Sequence, residues 1–191
     1  MKRIISIIVI VIAAASSPGA QPRDGVQAFA QRAEAYTELH RQLEKTVAPQ
    51  EPFVDPATML AASDRLRGML SAARAGAREG NVFAPVAGEL SRRIRQSIRE
   101  HGIEPRDLMV EMVRDTEGTP PPVRVNEPFS WLHGNVMPVC VLEALPPLPR
   151  ELEYRLVGAD LVLIDVHASM IVDILRDVLP ARASQARHFE Q

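Results

Sequence analysis

Aromatic residues and cysteine are both scarce in this sequence. Only 4% of the 191 residues are aromatic, and Cys140 is the only cysteine. A lone cysteine cannot form an intramolecular disulfide, which excludes a small disulfide-stapled domain. Apolar residues nevertheless make up 46% of the chain, enough to bury the core of one domain. Because its neighbours Val139, Val141 and Leu142 are apolar, we expect a buried thiol at Cys140, with a reactive thiol as the alternative.

Positive charge is also limited. Lys2 and Lys45 are the only lysines, and the 22 basic residues face 24 acidic ones. A chain without an excess of positive charge has no general attraction for nucleic acid or for an anionic bilayer. We therefore expect no nucleic-acid partner.

No long hydrophobic run is present. The apolar stretch Ile4–Ile12 contains one serine and is far shorter than the roughly 20 residues of a membrane span. It follows Lys2-Arg3 and precedes small residues, the pattern of a secretory signal peptide. The sequence therefore predicts export to the periplasm or the medium, with cleavage after Ala15 or Ala20 and no stable membrane insertion afterwards.

Helical periodicity dominates the first part of the mature chain. Apolar residues recur every three or four positions over residues 24–47, again after Asp55-Pro56 and again after Pro85. Aspartate before proline is a typical helix start, and His101-Gly102 is a typical helix end. A fourth, shorter helix is predicted from Pro105.

The hydrophobic period changes from helical to two after Pro149. Residues Leu152–Leu156, Leu161–Val166 and Met170–Leu175 are typical of three short strands joined by tight turns in an antiparallel meander. The middle strand is apolar on both faces, so both faces should be covered. We expect residues 138–145 to form a short helix, with a strand as the alternative.

These patterns together predict an α+β, mainly α fold. Three to four antiparallel helices form one region, and a small three-stranded antiparallel β-meander packs on it. The predicted segments are a signal peptide at 1–20, a helical region at 24–117, a proline-rich connector and loop at 118–137, a short helix plus meander at 138–180, and a loose tail at 181–191.

Three stretches of the mature chain are distinctive. They are LPPLPRELEYRLVGADLVLID at 145–165 with Ile171-Val172-Asp173, then Tyr36-x-x-Leu39-His40, and then Gly80-Asn81-Val82-Phe83. Together they resemble a family of exported bacterial proteins of unassigned function, which implies export and a helical-plus-hairpin build but no reaction. Residues 152–175 also resemble the RcnB-like periplasmic proteins, some of which take part in nickel and cobalt homeostasis. This chain lacks their histidine-rich character.

Asp165 and His167 are candidate metal ligands. They are two residues apart, which places both on one face of a strand, and with His133 or Asp173 nearby they could bind a divalent metal ion. The alternative is structural: Asp165 caps the turn that follows Ile164, and His167 lies at the edge of the sheet.

Tyr36 and His40 lie one turn apart on the apolar seam of the first helix. His40 could be a metal ligand or a general base. The alternative places His40 at the edge of the core, where its ring nitrogens find a carbonyl and a tyrosine or water.

A hydrolase site is the remaining possibility. Ser130 and His133 lie in the loop richest in polar and aromatic residues, and Asp165 could complete a triad with them. The sequence has no G-x-S-x-G elbow, no H-E-x-x-H, no paired C-x-x-C, no G-x-G-x-x-G and no P-loop. The alternative is that these residues form a structured connector loop, which the side chain of Trp131 anchors to the rest of the protein.

We therefore expect a non-enzymatic binding or interaction protein of the cell envelope, whose partner is an unknown envelope protein or a small ligand. One alternative is a divalent-metal-binding protein that uses His133, Asp165 and His167. The other is a hydrolase that uses the Ser130–His133 loop. The sequence indicates no catalytic residue and no cofactor other than this possible metal ion.

Overall fold

The computed structural model describes residues 22–47, 55–104, 107, 108, 110, 122–132 and 137–179. The predicted signal peptide and tail lie outside the described residues, as do His133 and most of the predicted helix from Pro105. Within the described residues the protein has the predicted α+β, mainly α fold, with the sheet at the C-terminal end of the chain.

The helices begin and end close to the predicted positions. They are α1 (Pro22–Val47), α2 (Pro56–Ala73), α3 (Ala87–Glu100) and the short α4 (Val139–Leu142). Asp55 accepts hydrogen bonds from the backbone amides of Ala57 and Thr58, at 3.0 and 3.1 Å, which confirms the predicted N-cap. None of the helices in the described part of the chain is long and apolar enough to cross a bilayer.

Three strands form one antiparallel sheet in the order β1-β2-β3. They are β1 (Leu152–Val157), β2 (Asp160–Asp165) and β3 (Met170–Leu175). Gly158 makes the turn between β1 and β2 with a φ of 59°, a backbone conformation that glycine adopts without strain. The predicted meander is therefore confirmed.

Both faces of the sheet are covered, as the apolar middle strand predicts. One face packs on the helices and joins them in a single hydrophobic core. The other face is covered by Phe129, which packs with Val162, Ile164 and their neighbours. Phe129 is 5% exposed whereas Trp131 is 45% exposed, so Phe129, rather than the predicted Trp131, is the buried aromatic anchor of this segment.

β3 contains a β-bulge, and Asp173 beside it connects the sheet to the loop before α3 through hydrogen bonds. Leu163 pairs with Asp173 and Ile164 with Ile171, which leaves Val172 as an extra residue. The buried Asp173 carboxylate accepts three hydrogen bonds of 2.7 Å from the backbone amides of Gly80, Val82 and Phe83. Two of the stretches that carry the resemblance to the exported family, residues 80–83 and 171–173, are therefore in direct contact.

Cys140 lies in α4 and is 3% exposed, which confirms the buried thiol expected from the sequence. Burial raises the pKa of the thiol, so the nucleophilic thiolate is disfavoured.

Candidate functional site

Five polar side chains meet where α1 crosses the turn after β2. Tyr36, His40 and Glu44 recur every four residues and so form a stripe along one side of α1. The turn contributes Asp165, the last residue of β2, and His167. We call these five residues the α1–turn cluster.

Asp165 is the buried centre of the α1–turn cluster. Its Oδ2 atom accepts hydrogen bonds from the Tyr36 hydroxyl, at 2.6 Å, and from His40 Nδ1, at 2.5 Å. Its Oδ1 atom accepts from the backbone amides of His167, at 3.0 Å, and Ala168, at 2.8 Å. These four donors occupy the roughly four acceptor sites of a carboxylate. Asp165 therefore caps the turn, as the structural alternative predicts, and also binds two side chains of α1.

The hydrogen bonds of the cluster favour its charged forms. Burial raises the pKa of Asp165, but the hydrogen bonds from His40, Tyr36 and Ala168 outweigh it and hold the pKa below its usual value. Burial lowers the pKa of His40, but the Asp165 carboxylate and the charge of Glu44 outweigh it and raise the pKa. These shifts favour the imidazolium form of His40 beside the carboxylate form of Asp165. Burial and the charge of Asp165 raise the pKa of Tyr36, which stays a neutral donor.

The other ring nitrogen of His40 lacks a hydrogen-bond partner. Nε2 is fully buried, and no atom of the described residues makes a hydrogen bond with it. The Oε2 atom of Glu44 lies 3.4 Å away, within ion-pair distance but without hydrogen-bond geometry. Since buried polar atoms in folded proteins almost always have a partner, this nitrogen is the unusual atom of the cluster.

Glu44 bridges the two histidines. Its Oε1 atom lies 2.7 Å from His167 Nδ1, and the rings of His40 and His167 are 5.3 Å apart between centroids. The His40 side chain is fully buried, whereas that of Glu44 is 30% exposed and that of His167 is 43% exposed. The cluster is therefore closed behind His40 and open to solvent beside His167.

Three donors of the α1–turn cluster lie close enough together that they could hold a metal ion. One ligand atom from each of His40, Glu44 and His167 can be chosen so that all lie within 4.8 Å of one another. Two ligand atoms bound to a tetrahedral ion at 2.0–2.1 Å are about 3.4 Å apart, and His40 Nε2 and Glu44 Oε2 are separated by 3.4 Å. Asp165 holds His40 Nδ1, the arrangement by which a carboxylate orients a histidine ligand from behind.

The ligand set differs from the sequence hypothesis of His133, Asp165 and His167. His133 lies outside the described residues, and four hydrogen bonds occupy the acceptor sites of Asp165. β2 ends at Asp165, so His167 lies in the following turn and not on the same strand face. The sequence hypothesis missed Glu44, although its position four residues after His40, on the same side of the first helix, is a signal that could have found it.

The hydrolase hypothesis gains no support from this geometry. Asp165, its proposed acid, is hydrogen-bonded to His40 and Tyr36, and His133 lies outside the described residues. Asp173, which the metal hypothesis placed near Asp165 and His167, instead accepts hydrogen bonds from the backbone of the Gly80–Phe83 loop.

Comparisons with protein-family models, with curated proteins and with solved structures find no match to this chain.

Proposed function

We propose that this protein binds one divalent transition-metal ion through His40 Nε2, the Glu44 carboxylate and the His167 ring. The observation that carries the proposal is the buried Nε2 atom of His40, which has no hydrogen-bond partner among the described residues. A bound ion would supply the partner that this atom lacks, and the Asp165 carboxylate would fix the ring so that Nε2 points toward the ion.

The ligand types restrict the class of ion. Two imidazoles and one carboxylate suit zinc and its neighbours cobalt, nickel and copper, whereas calcium and magnesium are bound mainly by oxygen atoms. The proposal includes no thiolate ligand, because Cys140 is buried in α4. A transition metal is therefore the ion proposed.

The proposed location is the cell envelope. Its support is the sequence of residues 1–20, in which a basic start, a short apolar run and small residues follow one another as in a secretory signal peptide. The proposed function is binding of the ion, without a chemical reaction, in keeping with the binding protein expected from the sequence.

Equilibrium dialysis of the mature protein, purified without a histidine tag, tests the proposal. Zinc or cobalt is expected to be retained at one ion per chain. His167→Ala removes a ring and Glu44→Gln replaces a carboxylate by an amide, both at partly exposed positions, so both variants should keep the far-ultraviolet circular dichroism of the wild type and lose the ion.

His101→Ala is the matched control for this experiment. The His101 side chain is 40% exposed and lies 3.3 Å from Glu143, so it resembles the His167–Glu44 pair. Within the described residues, however, the three-ligand group contains His167 and not His101. His101→Ala should bind the ion like the wild type. A wild-type protein that retains no ion, or equal losses in His101→Ala and His167→Ala, would contradict the proposal.

A protein partner is the second candidate, supported by an apolar groove beside β1. The apolar residues that line the groove include Leu142, Leu145, Pro147, Leu148 and Leu152, and Leu142 is exposed. If this groove binds an envelope protein, Leu142→Asp should abolish a specific cross-link formed in the envelope. The matched change Leu60→Asp, at an exposed leucine of α2, should leave the cross-link intact.

A further inference from the structure

The number of protein ligands leaves room for another ligand on the ion. We infer that an ion bound by His40, Glu44 and His167 keeps a coordination position open to solvent, where it binds an anionic oxygen donor such as hydroxide or a carboxylate. This inference rests on the proposed function, because it concerns the same ion.

The ligand count is the first argument. Within the described part of the chain, the group that can surround an ion has three members. Zinc normally takes four ligands in proteins, and a site closed by the protein alone uses four side chains. Three side chains from the described residues therefore leave a fourth position for water or an exogenous ligand.

The direction of that position follows from burial. His40 is fully buried and is backed by Asp165, which is also fully buried, so the inner side of the ion is closed. Glu44 and His167 are 30% and 43% exposed and lie on the outer side. The open position consequently faces solvent, between the two exposed ligands.

Charge selects the class of ligand. A divalent ion with two neutral imidazoles and one carboxylate has a net charge of +1 in its first shell. The Asp165 carboxylate already accepts hydrogen bonds from Tyr36, His40 and two backbone amides, so it is not available as the fourth ligand. A monoanion neutralises the shell, and zinc accepts oxygen ligands, from a carboxylate or from water, beside histidine.

Cobalt provides the test, because its visible absorption reports the number and type of its ligands. The mature protein is loaded with one equivalent of Co²⁺ and titrated with sodium acetate at constant ionic strength set by sodium perchlorate. We expect a saturable change in the intensity and position of the cobalt bands with acetate, and none with perchlorate alone. His101→Ala should titrate like the wild type.

The two ways of failing are distinguishable. Cobalt bands that form and then stay unchanged at saturating acetate would overturn the open position while leaving the metal site intact. An absence of cobalt bands in the wild-type protein would overturn the proposed function and this inference together. A change that is equally large with perchlorate would show an effect of ionic strength and would also overturn the open position.

Discussion

Asp165 is the residue on which the α1–turn cluster depends most. Replacing it by asparagine leaves one acceptor oxygen for four donors and removes the counter-charge of the buried His40. We expect Asp165→Asn to lower the free energy of unfolding by about 3 kcal/mol, measured by urea denaturation without added metal. In dialysis it should also weaken metal binding by about 10- to 100-fold, as losses of orienting carboxylates do.

The control for this prediction is Asp64→Asn, at an exposed carboxylate that pairs with Arg67 on the surface of α2. It should change the stability by less than about 0.5 kcal/mol. If Asp165→Asn proved as stable as Asp64→Asn, the hydrogen bonds of the cluster would not have the role assigned to them.

Glu151 links stability to pH at the residue scale. Burial raises the pKa of this carboxyl, but hydrogen bonds from Arg41, from its own backbone amide and from Arg150 outweigh it and lower the pKa to about 2. The unfolded chain takes up this proton near the ordinary value of about 4.3, so between the two values the unfolded state binds more protons and stability falls as the pH falls. The contribution, about 3 kcal/mol at most, is complete above pH 5 and lost toward pH 2.

Glu151→Gln measures this effect. The variant should be less stable than the wild type at neutral pH, because Arg41 loses its buried partner. Its stability should depend less on pH between about 5 and 2, so the two proteins converge as the pH approaches the folded pKa. Parallel stability curves over that interval, measured by denaturant titration, would contradict the assignment.

At the scale of elements, the start of α1 is held close to the loop before α3. A Cβ atom added at Gly25 would lie 2.7 Å from the carbonyl oxygen of Pro85, a distance that backbone atoms cannot accommodate without shifting. Gly25→Ala should therefore lower the thermal midpoint even though alanine favours a helix, with a cost of about 1–3 kcal/mol.

Gly68→Ala is the matched control within α2. A Cβ atom at Gly68 meets no atom within 4 Å, so the substitution should stabilise the protein by about 0.5–1 kcal/mol through helix propensity alone. Stabilisation by both substitutions would show that α1 does not contact Pro85 as closely as described.

Local signals explain which elements the sequence could predict. The start of α2 was predictable because Asp55 and Pro56 act on the helix within one turn, and the β1–β2 turn because Gly158 adopts a positive φ. The bulge at Val172 was not predictable in this way. It lies in the pairing of β3 with β2, next to Asp173, whose carboxylate accepts hydrogen bonds from amides of a loop about ninety residues earlier in the chain.

The same limit applies to the candidate site. His40 was identified from its position on the seam of α1, and Asp165 from its place at the end of β2. Their contact, across 125 positions in the chain, follows from how α1 packs on the sheet and leaves no periodic trace in the sequence. Asp165, which the sequence hypothesis makes a ligand, instead holds the ring of His40 through a hydrogen bond.

At the scale of the whole molecule, a bound ion would join the two ends of the fold. His40 and Glu44 lie in α1 and His167 lies in the turn after β2, so one ion would cross-link the first helix to the sheet. At a free metal concentration of about 100 times the dissociation constant, binding adds about 2.7 kcal/mol to the stability. For a chain of this size that corresponds to a rise of about 5–10 °C in the thermal midpoint.

Differential scanning calorimetry with zinc and then with excess chelator checks this rise. The increase should appear in the wild type and in His101→Ala, disappear in His167→Ala, and be reversed by the chelator. Equal increases in all three proteins would place the ion elsewhere on the chain.

X-ray absorption at the zinc edge tests the central claim most directly, because it counts the ligands of the bound ion and identifies their atoms. For the wild type loaded with one equivalent of zinc, we expect two imidazole rings at about 2.0–2.1 Å together with oxygen ligands and no sulfur. His167→Ala, loaded at a zinc concentration high enough to fill it, should lose one of the two rings. A sulfur ligand at about 2.3 Å, or a spectrum without imidazole, would contradict binding by His40, Glu44 and His167.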